Sequence, residues 1–313
     1  MQVEKPFFTV ATITYNSSKW VRQAIESILN SSYSDFELLI SDDCSTDDTW
    51  NIIQEYQDPR INSWQNNVNI GEYSNRNKIL DFAKGKYILY VDGDDILYKN
   101  TLRNLSEYIL EFPECGIVFG VLTPTNPFVV LPYVFEPIDT LRIMLDPSTM
   151  VGNIGFAETL FNVIALRNVG GFSTEFKMGD IFIRKKLSLS NNTLFVPLGF
   201  MHWRVSENQA SKIANKHFNN IKEEYFINVR ILNDKKCPLN QVLVNKYLFS
   251  LKINLIKWMV KNLLYKLRVV TFFEFSRKMK ISILDFKLLF LDSEEFKFDM
   301  DTSNPLHNDF NFS

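Results

Sequence analysis

The run Lys86–Asp95, KYILYVDGDD, decides how the rest of the chain is read. Tyr87 to Val91 is β-branched and aromatic, the pattern of a strand buried in a mostly parallel sheet. It stops abruptly at three carboxylates, Asp92, Asp94 and Asp95. Like charges this close repel, and a bound divalent cation is the cheapest way to keep them ionised at neutral pH. The competing reading is a solvated acidic turn opening the next helix, with Asp95 or Asn100 as its cap. On these residues alone the two readings stand even.

Upstream, Phe7–Tyr15 is a second strand pattern, after which Asn16, Ser17 and Ser18 offer capping chemistry for a helix over 20–30. The connecting loop holds no glycine, which argues against the G-x-G-x-x-G turn of a dinucleotide-binding protein. Phe36–Ser41 predicts another strand, ending in Asp42-Asp43-Cys44-Ser45-Thr46-Asp47-Asp48. Two strands thus end in acids at one sheet edge, where open α/β sheets bind ligands. Helix capping accounts for Ser45, Thr46 and Asp47, whereas Asp43 reads as a site residue. A short strand over 61–65 and a loop rich in asparagine lead to a helix over 74–83, with Arg76 in its first turn. A cation there opposes the helix dipole and points to an anionic ligand, the alternative being a snorkelling surface arginine. A helix over 101–112 and a strand over 116–122 complete a five-strand alternation, the signature of a doubly wound sheet.

Residues 123–153 break the alternation, with prolines at 124, 127, 132, 137 and 147, and read as a long irregular flap or acceptor wall. Residues 161–166 read as a strand, and 181–189 as an amphipathic helix preceded by Asp180, whose bland role is a cap.

Composition sets outer limits. The 313 residues can hold one large α/β domain with an appendage, or two domains, and 46% hydrophobic with 22% charged residues is ordinary for a folded chain. A formal net charge of -2 disfavours nucleic acid as the main partner. Cys44, Cys115 and Cys237 lack ligand spacing and fit a reducing cytoplasm. The amino terminus does not read as a secretion signal, and no uninterrupted apolar run is long enough for a bilayer.

Together, ITYN (13–16), ELLISDDCSTDDT (37–49), NIGEYSNRN (69–77), GKYILYVDGDD (85–95), VGGF (169–172) and Gly179-Asp180 before a helix resemble family 2 glycosyltransferases in order and spacing over roughly residues 5–211. The resemblance implies a GT-A fold, a Rossmann-like nucleotide-diphospho-sugar transferase domain over 1–214, followed by a mainly helical region over 215–313. It implies transfer of a sugar, with inversion, from a nucleotide-sugar donor, usually a UDP-sugar, to a glycan or lipid-linked acceptor in surface polysaccharide biosynthesis. Carried over residue by residue, it puts Asp43 and Tyr15 at the nucleobase, Arg76 beside the nucleotide, and Asp92 towards the ribose or metal. Asp94 becomes the ligand of Mn2+ or Mg2+, and Asp180 the catalytic base. Ile13, Cys44 and Gly179 depart from a frequent proline, glycine and glutamate, and Ser206 stands where a histidine is frequent. His202 is a candidate neighbour of the metal or phosphates, or else a buried hydrogen-bonded side chain. The alternative of another class is a non-catalytic nucleotide-sugar-binding or membrane-surface scaffold on the same fold.

In the tail, Lys246, Lys257, Lys261 and Arg268 fall within about a 60° sector of a helix over 245–270. A basic amphipathic helix suits an anionic membrane, implying a cytoplasmic protein peripheral at the inner membrane face. The competing expectation is a helix packed on the protein with its lysines in water. The acidic, polar 292–313 shows little periodicity.

Overall fold

The computed structural model describes residues 5–121, 131–146, 154–204, 219–264, 269–279, 281–282 and 285. The chain divides into two compact units, Met1–Gln209 and Ala210–Ser313; the boundary expected at 214/215 falls outside the described residues.

The first unit runs β1 (Phe8–Thr14), α1 (Val21–Leu29), β2 (Phe36–Asp42), α2 (Thr49–Gln54), β3 (Ile61–Gln65), α3 (Glu72–Phe82), β4 (Tyr87–Tyr90), β5 (Ile96–Leu97), α4 (Thr101–Glu111) and β6 (Cys115–Gly120). It continues with β7 (Tyr133–Phe135), α5 (Pro137–Leu145), a single 3-10 turn (Phe156–Glu158), β8 (Thr159–Asn162), α6 (Val163–Asn168), α7 (Gly179–Ser188), β9 (Asn192–Val196) and β10 (Met201–His202). Eight strands form one sheet in the order β3-β2-β1-β4-β8-β6-β9-β7, and β5 with β10 makes a small second ladder. β1 pairs in parallel with β2 and β4, and β2 with β3. Phe8, Val10, Leu38, Ile40, Leu89, Val91, Val118, Leu160 and Leu194 put one face into a core with Val21, Ile25 and Ile28 of α1 and Leu102 and Leu105 of α4. Burial on both faces explains why these strands read as continuous apolar runs.

The sheet is more mixed than the alternation predicts. β8 inserts antiparallel between β4 and β6, and β7 pairs antiparallel with β9 at the edge. Of the strand expected over 161–166 only Phe161 and Asn162 are strand: β8 ends at Asn162, whose side chain accepts from the Ala165 amide and caps α6. A short apolar run does not separate strand from helix by periodicity, so the cap decides. Within the irregular stretch expected over 123–153, residues 133–135 are β7 and 137–145 are α5, with Pro137 in the first turn, where its missing N–H costs nothing. Residues 123–130 and 147–153 of that stretch lie outside the described residues.

In the second unit α8 (Asn219–Leu232) precedes α9 (Gln241–Met259), a π-helical turn over 260–264 and α10 (Val269–Lys278). The helix predicted over 245–270 begins four residues earlier, where the Asn240 side chain accepts from the Leu243 amide. Leu255, Ile256 and Met259 of α9 pack with Phe272 and Phe275 of α10, so apolar surface of α9 is taken up inside its own unit. Lys246, Lys257 and Lys261 are exposed, and Arg268 lies outside the described residues. No described helix is long and apolar enough to cross a membrane.

Candidate active site

The carboxyl ends of β1 and β2 are laced together by their own loops. The Asp42 carboxylate accepts from Thr14 Oγ1 (2.8 Å), the Ser45 amide (3.0 Å), Ser45 Oγ (2.5 Å) and Gln65 Nε2 (2.9 Å), joining three strand ends. Asn16 accepts from the Thr46 amide, and its own amide donates to Ser45 Oγ. The expectation that Asn16, Ser17 and Ser18 cap α1 is corrected: no side chain caps that helix, because Asn16 serves the neighbouring loop. Of Ser45, Thr46 and Asp47, only Asp47 does helix-end duty, accepting from the Thr49 amide that opens α2. Cys44 sits at φ 63°, the left-handed region that favours glycine, at a cost of about 1–2 kcal/mol for a residue with a Cβ.

Asp43 is 4% exposed and accepts from Asn66 Nδ2, the Ile70 amide and the Gly71 amide, each at 2.9 Å. A carboxylate offers about four lone-pair sites, so three donors leave room for one more. Its first action is thus to fold the 66–71 loop against β2. Asn66 also donates to the buried Asn75 and accepts from Lys78 Nζ, which makes that loop stiff. Tyr15, half exposed, follows directly after β1 at the same edge.

Arg76 is neither at the surface nor in the first turn: α3 begins at Glu72, which puts Arg76 fifth and 1% exposed. The negative charge it answers is the chain's own. Its Nη2 donates to Asp92 Oδ2 at 2.8 Å and to Glu72 Oε1 at 3.0 Å, and its guanidinium lies 4.4 Å from the Phe156 ring centroid and 5.2 Å from that of Tyr90. Burial by itself would lower its pKa, but Asp92 and Glu72 outweigh burial and raise it. Arg76 Nη1 and Asp92 Oδ1 are buried without a hydrogen-bond partner among the described residues.

The turn that follows is not a solvated cap. Asn100 precedes α4 without a side-chain cap bond, and Asp95 is buried, accepting from the Arg204 amide at 3.0 Å. Burial, then the Asp92 charge, pushes the Asp95 carboxyl up to about 7, and the same two causes raise Asp94. Arg204 braces the turn: its Nε donates to Asp94 O (2.9 Å), its Nη2 to Gln23 Oε1 (2.8 Å), and its guanidinium stacks 3.9 Å from the Trp20 ring centroid. His202 is exposed on β10, in register with Ile96 beside the acids, and so is not the buried histidine of the second expectation.

Asp180 lies in the first turn of α7, where an acid suits the helix dipole, but Met178 holds the cap position. Tyr73 Oη stands 3.5 Å from Asp180 Oδ1 and Arg184 Nη2 3.5 Å from Oδ2, and the carboxylate is 29% exposed. Gly179 has a steric reason. A Cβ there would lie 2.8 Å from Tyr73 Cε2 and 2.9 Å from Ser173 O.

One short segment ties these acids together. Gly71 donates to Asp43, Tyr73 reaches Asp180 and Arg76 binds Asp92, all within the six residues that start α3. Sequence reasoning missed Tyr73, Arg184, Arg204 and Asn66. Only the Gly179 departure hinted at Tyr73, since their contact spans more than a hundred residues of chain.

The mixed eight-stranded sheet with acids gathered at its carboxyl edge is the architecture of GT-A nucleotide-diphospho-sugar transferases. Staphylococcus aureus TarS, solved in complex with UDP-GlcNAc, superposes with a TM-score of 0.63 at 22% identity, covering 82% of this chain and 74% of that one, a likeness of fold. Residues 9–151, a little under half of the chain, match the family described as Glycosyl transferase family 2. It is 37% identical over 146 residues to a putative teichuronic acid biosynthesis glycosyltransferase, TuaG, of Bacillus subtilis, covering 44% of this chain and 58% of the relative. It is 38% identical over 96 residues to the UDP-Glc:alpha-D-GlcNAc-diphosphoundecaprenol beta-1,3-glucosyltransferase WfaP of Escherichia coli, covering 31% of this chain and 38% of the relative. The matches therefore span well under two thirds of these relatives.

Proposed function

We propose that this chain is an inverting glycosyltransferase that moves a sugar from a UDP-sugar to a hydroxyl of a glycan or lipid-linked acceptor in surface polysaccharide biosynthesis. The observation that carries the reading is the Gly71–Arg76 segment, which holds donor-side Asp43 and Asp92 and acceptor-side Asp180 about one helix end. The relatives' roles in teichuronic acid and diphosphoundecaprenol-linked sugar synthesis support the acceptor class.

Asp43, through its remaining lone pair, and Tyr15 take the nucleobase. Asp92, fixed by Arg76, takes the ribose, so Arg76 acts on the nucleotide through Asp92. Asp94 fits a divalent cation: its carboxylate has no ion pair among the described residues, and burial and Asp92 both disfavour its lone negative charge. No group of three or more ligating side chains is assembled among the described residues. Mg2+ held by one or two carboxylates plus substrate phosphates needs no larger set of protein ligands. When bound, the cation would neutralise charge developing on the leaving diphosphate, worth several kcal/mol. Asp180 takes the proton of the attacking hydroxyl, a contribution of about 10²- to 10⁴-fold. One base opposite the leaving group implies displacement from behind and inversion.

The test is UDP release from UDP-glucose and UDP-N-acetylglucosamine with manganese. Asp180→Asn should bind UDP as the parent does and lose release; unchanged turnover would refute the assignment. Binding without turnover in the parent itself would favour the scaffold alternative. The proposal includes a cytoplasmic location, with the exposed Lys246, Lys257 and Lys261 available to an anionic membrane surface. Equal flotation of the protein with anionic and neutral vesicles would remove that part.

A further inference from the structure

Two side chains that the proton transfer does not use flank Asp180. Arg184, one turn further along α7, is 4% exposed, and burial lowers its pKa. Its Nε donates to Asp180 O at 3.1 Å and its Nη1 to Ile154 O. The one carboxylate within 4 Å of it among the described residues is Asp180, at 3.5 Å. A buried cation with a single distant counter-charge rarely stabilises a fold; an apolar side chain of the same size is often as good or better. Tyr73 stands at the other carboxylate oxygen, Oδ1. Its ring fills the room that Gly179 leaves and stacks on Phe172 at 6.1 Å and 10°. Its hydroxyl accepts from the Asp180 amide at 3.4 Å, and its single proton goes to Lys177 O at 2.9 Å with Asp180 Oδ1 as a longer second acceptor at 3.5 Å. Burial, then the Asp180 charge, raises the phenol's pKa, so it stays a neutral group beside the carboxylate.

Backbone and carboxylate are therefore gripped at different strengths. The peptide groups of Asp180 are held on both sides, while among the described residues each carboxylate oxygen has a neighbour only at 3.5 Å, the outer limit of a hydrogen bond. Such contacts aim the group without using up the lone pairs that a proton acceptor needs.

We propose that Tyr73 and Arg184 are positioning residues that hold the Asp180 carboxylate in its reactive direction, one from α3 and one from α7. This rests on reading Asp180 as the base. Tyr73 also makes α3 a shared mount for the base and for Asp92, so the two halves of the site keep a common reference.

The experiment compares Tyr73→Phe, Arg184→Lys, Arg184→Gln and Asp180→Asn in the full chain, with UDP-glucose and UDP-N-acetylglucosamine as donors, manganese present, and UDP release as the signal. Tyr73→Phe and Arg184→Gln should each lower kcat by about tenfold or more, with donor KM and UDP affinity unchanged and part of the loss recovered in Arg184→Lys. Loss of turnover in Asp180→Asn, with Tyr73→Phe and Arg184→Gln at the parent kcat, overturns this proposal and leaves the base assignment standing. Parent-like turnover in Asp180→Asn overturns the assignment itself. Crystal structures of Tyr73→Phe and Arg184→Lys give a readout independent of turnover: the Asp180 carboxylate should change direction in both, and an unmoved carboxylate in both refutes the positioning role.

Discussion

Removing the charge of Asp92 tests whether Arg76 is what gives the donor side its shape. The pair is 2.8 Å apart with Arg76 almost wholly enclosed, so its gross attraction at an effective dielectric of 20 is about 6 kcal/mol. Two features reduce the net. Asp92 is 33% exposed at its side chain, and Glu72 still holds Arg76 at 3.0 Å. Asp92→Asn should therefore cost about 2–3 kcal/mol, below the 3–5 typical of breaking a fully buried pair. Arg76→Met should cost less, about 1–2 kcal/mol, because methionine fills the slot between Phe156 and Tyr90 and what is lost is mainly two cation–π contacts while Asp92 turns to water. In the double variant the costs should fall short of additivity by about 2 kcal/mol, since the second change removes an already unpaired charge. Equilibrium urea unfolding of the four proteins at pH 8 reads this directly. Additivity to within about 0.5 kcal/mol, or Arg76→Met as the costlier single change, would refute the reasoning.

Asp94→Ala should lose both manganese-stimulated UDP release and the quenching of the manganese EPR signal that the parent gives; retention of the EPR change would move the metal elsewhere. Asp43→Ala removes the acceptor of three N–H groups in the 66–71 loop, and should cost about 2–4 kcal/mol in urea unfolding and weaken UDP binding; parent-like UDP affinity would separate Asp43 from the base pocket. Glu158, which accepts only from the Phe200 amide, has its carboxyl pushed up to about 7 by burial, above its unfolded value near 4.5. Its contribution to stability is present below about 4.5 and is lost as pH rises through 7. Glu158→Gln should flatten that part of the pH–stability curve while keeping an acceptor for Phe200, and an unchanged curve would remove Glu158 as its cause.

How much was legible beforehand differs between fold and site. The parallel half of the sheet was readable because both faces of β1, β2 and β4 are covered, which writes burial into consecutive residues. β7 was not, and β8 only in its last two residues, since an antiparallel insertion has no local mark and both pair with strands far along the chain. At the site, the acids were visible as types at strand ends. Their partners were not: Arg76 read as a snorkelling surface residue or a ligand contact because nothing local tells whether a helical arginine meets water or an aspartate sixteen residues on.

What the residues alone determined is the chemistry on offer: carboxylates delivered to one sheet edge in an order and spacing shared with a known family, because strand period and strand termination are local properties. What only tertiary structure decided is which of those carboxylates are restrained and by what. Asp42 and Asp43 are saturated or nearly so by loop donors, Asp94 has no ion pair among the described residues, and Asp180 is flanked but not captured. A hydrogen bond depends on a few tenths of an ångström between groups that folding brings together from distant parts of the chain, and no spacing within one segment encodes it.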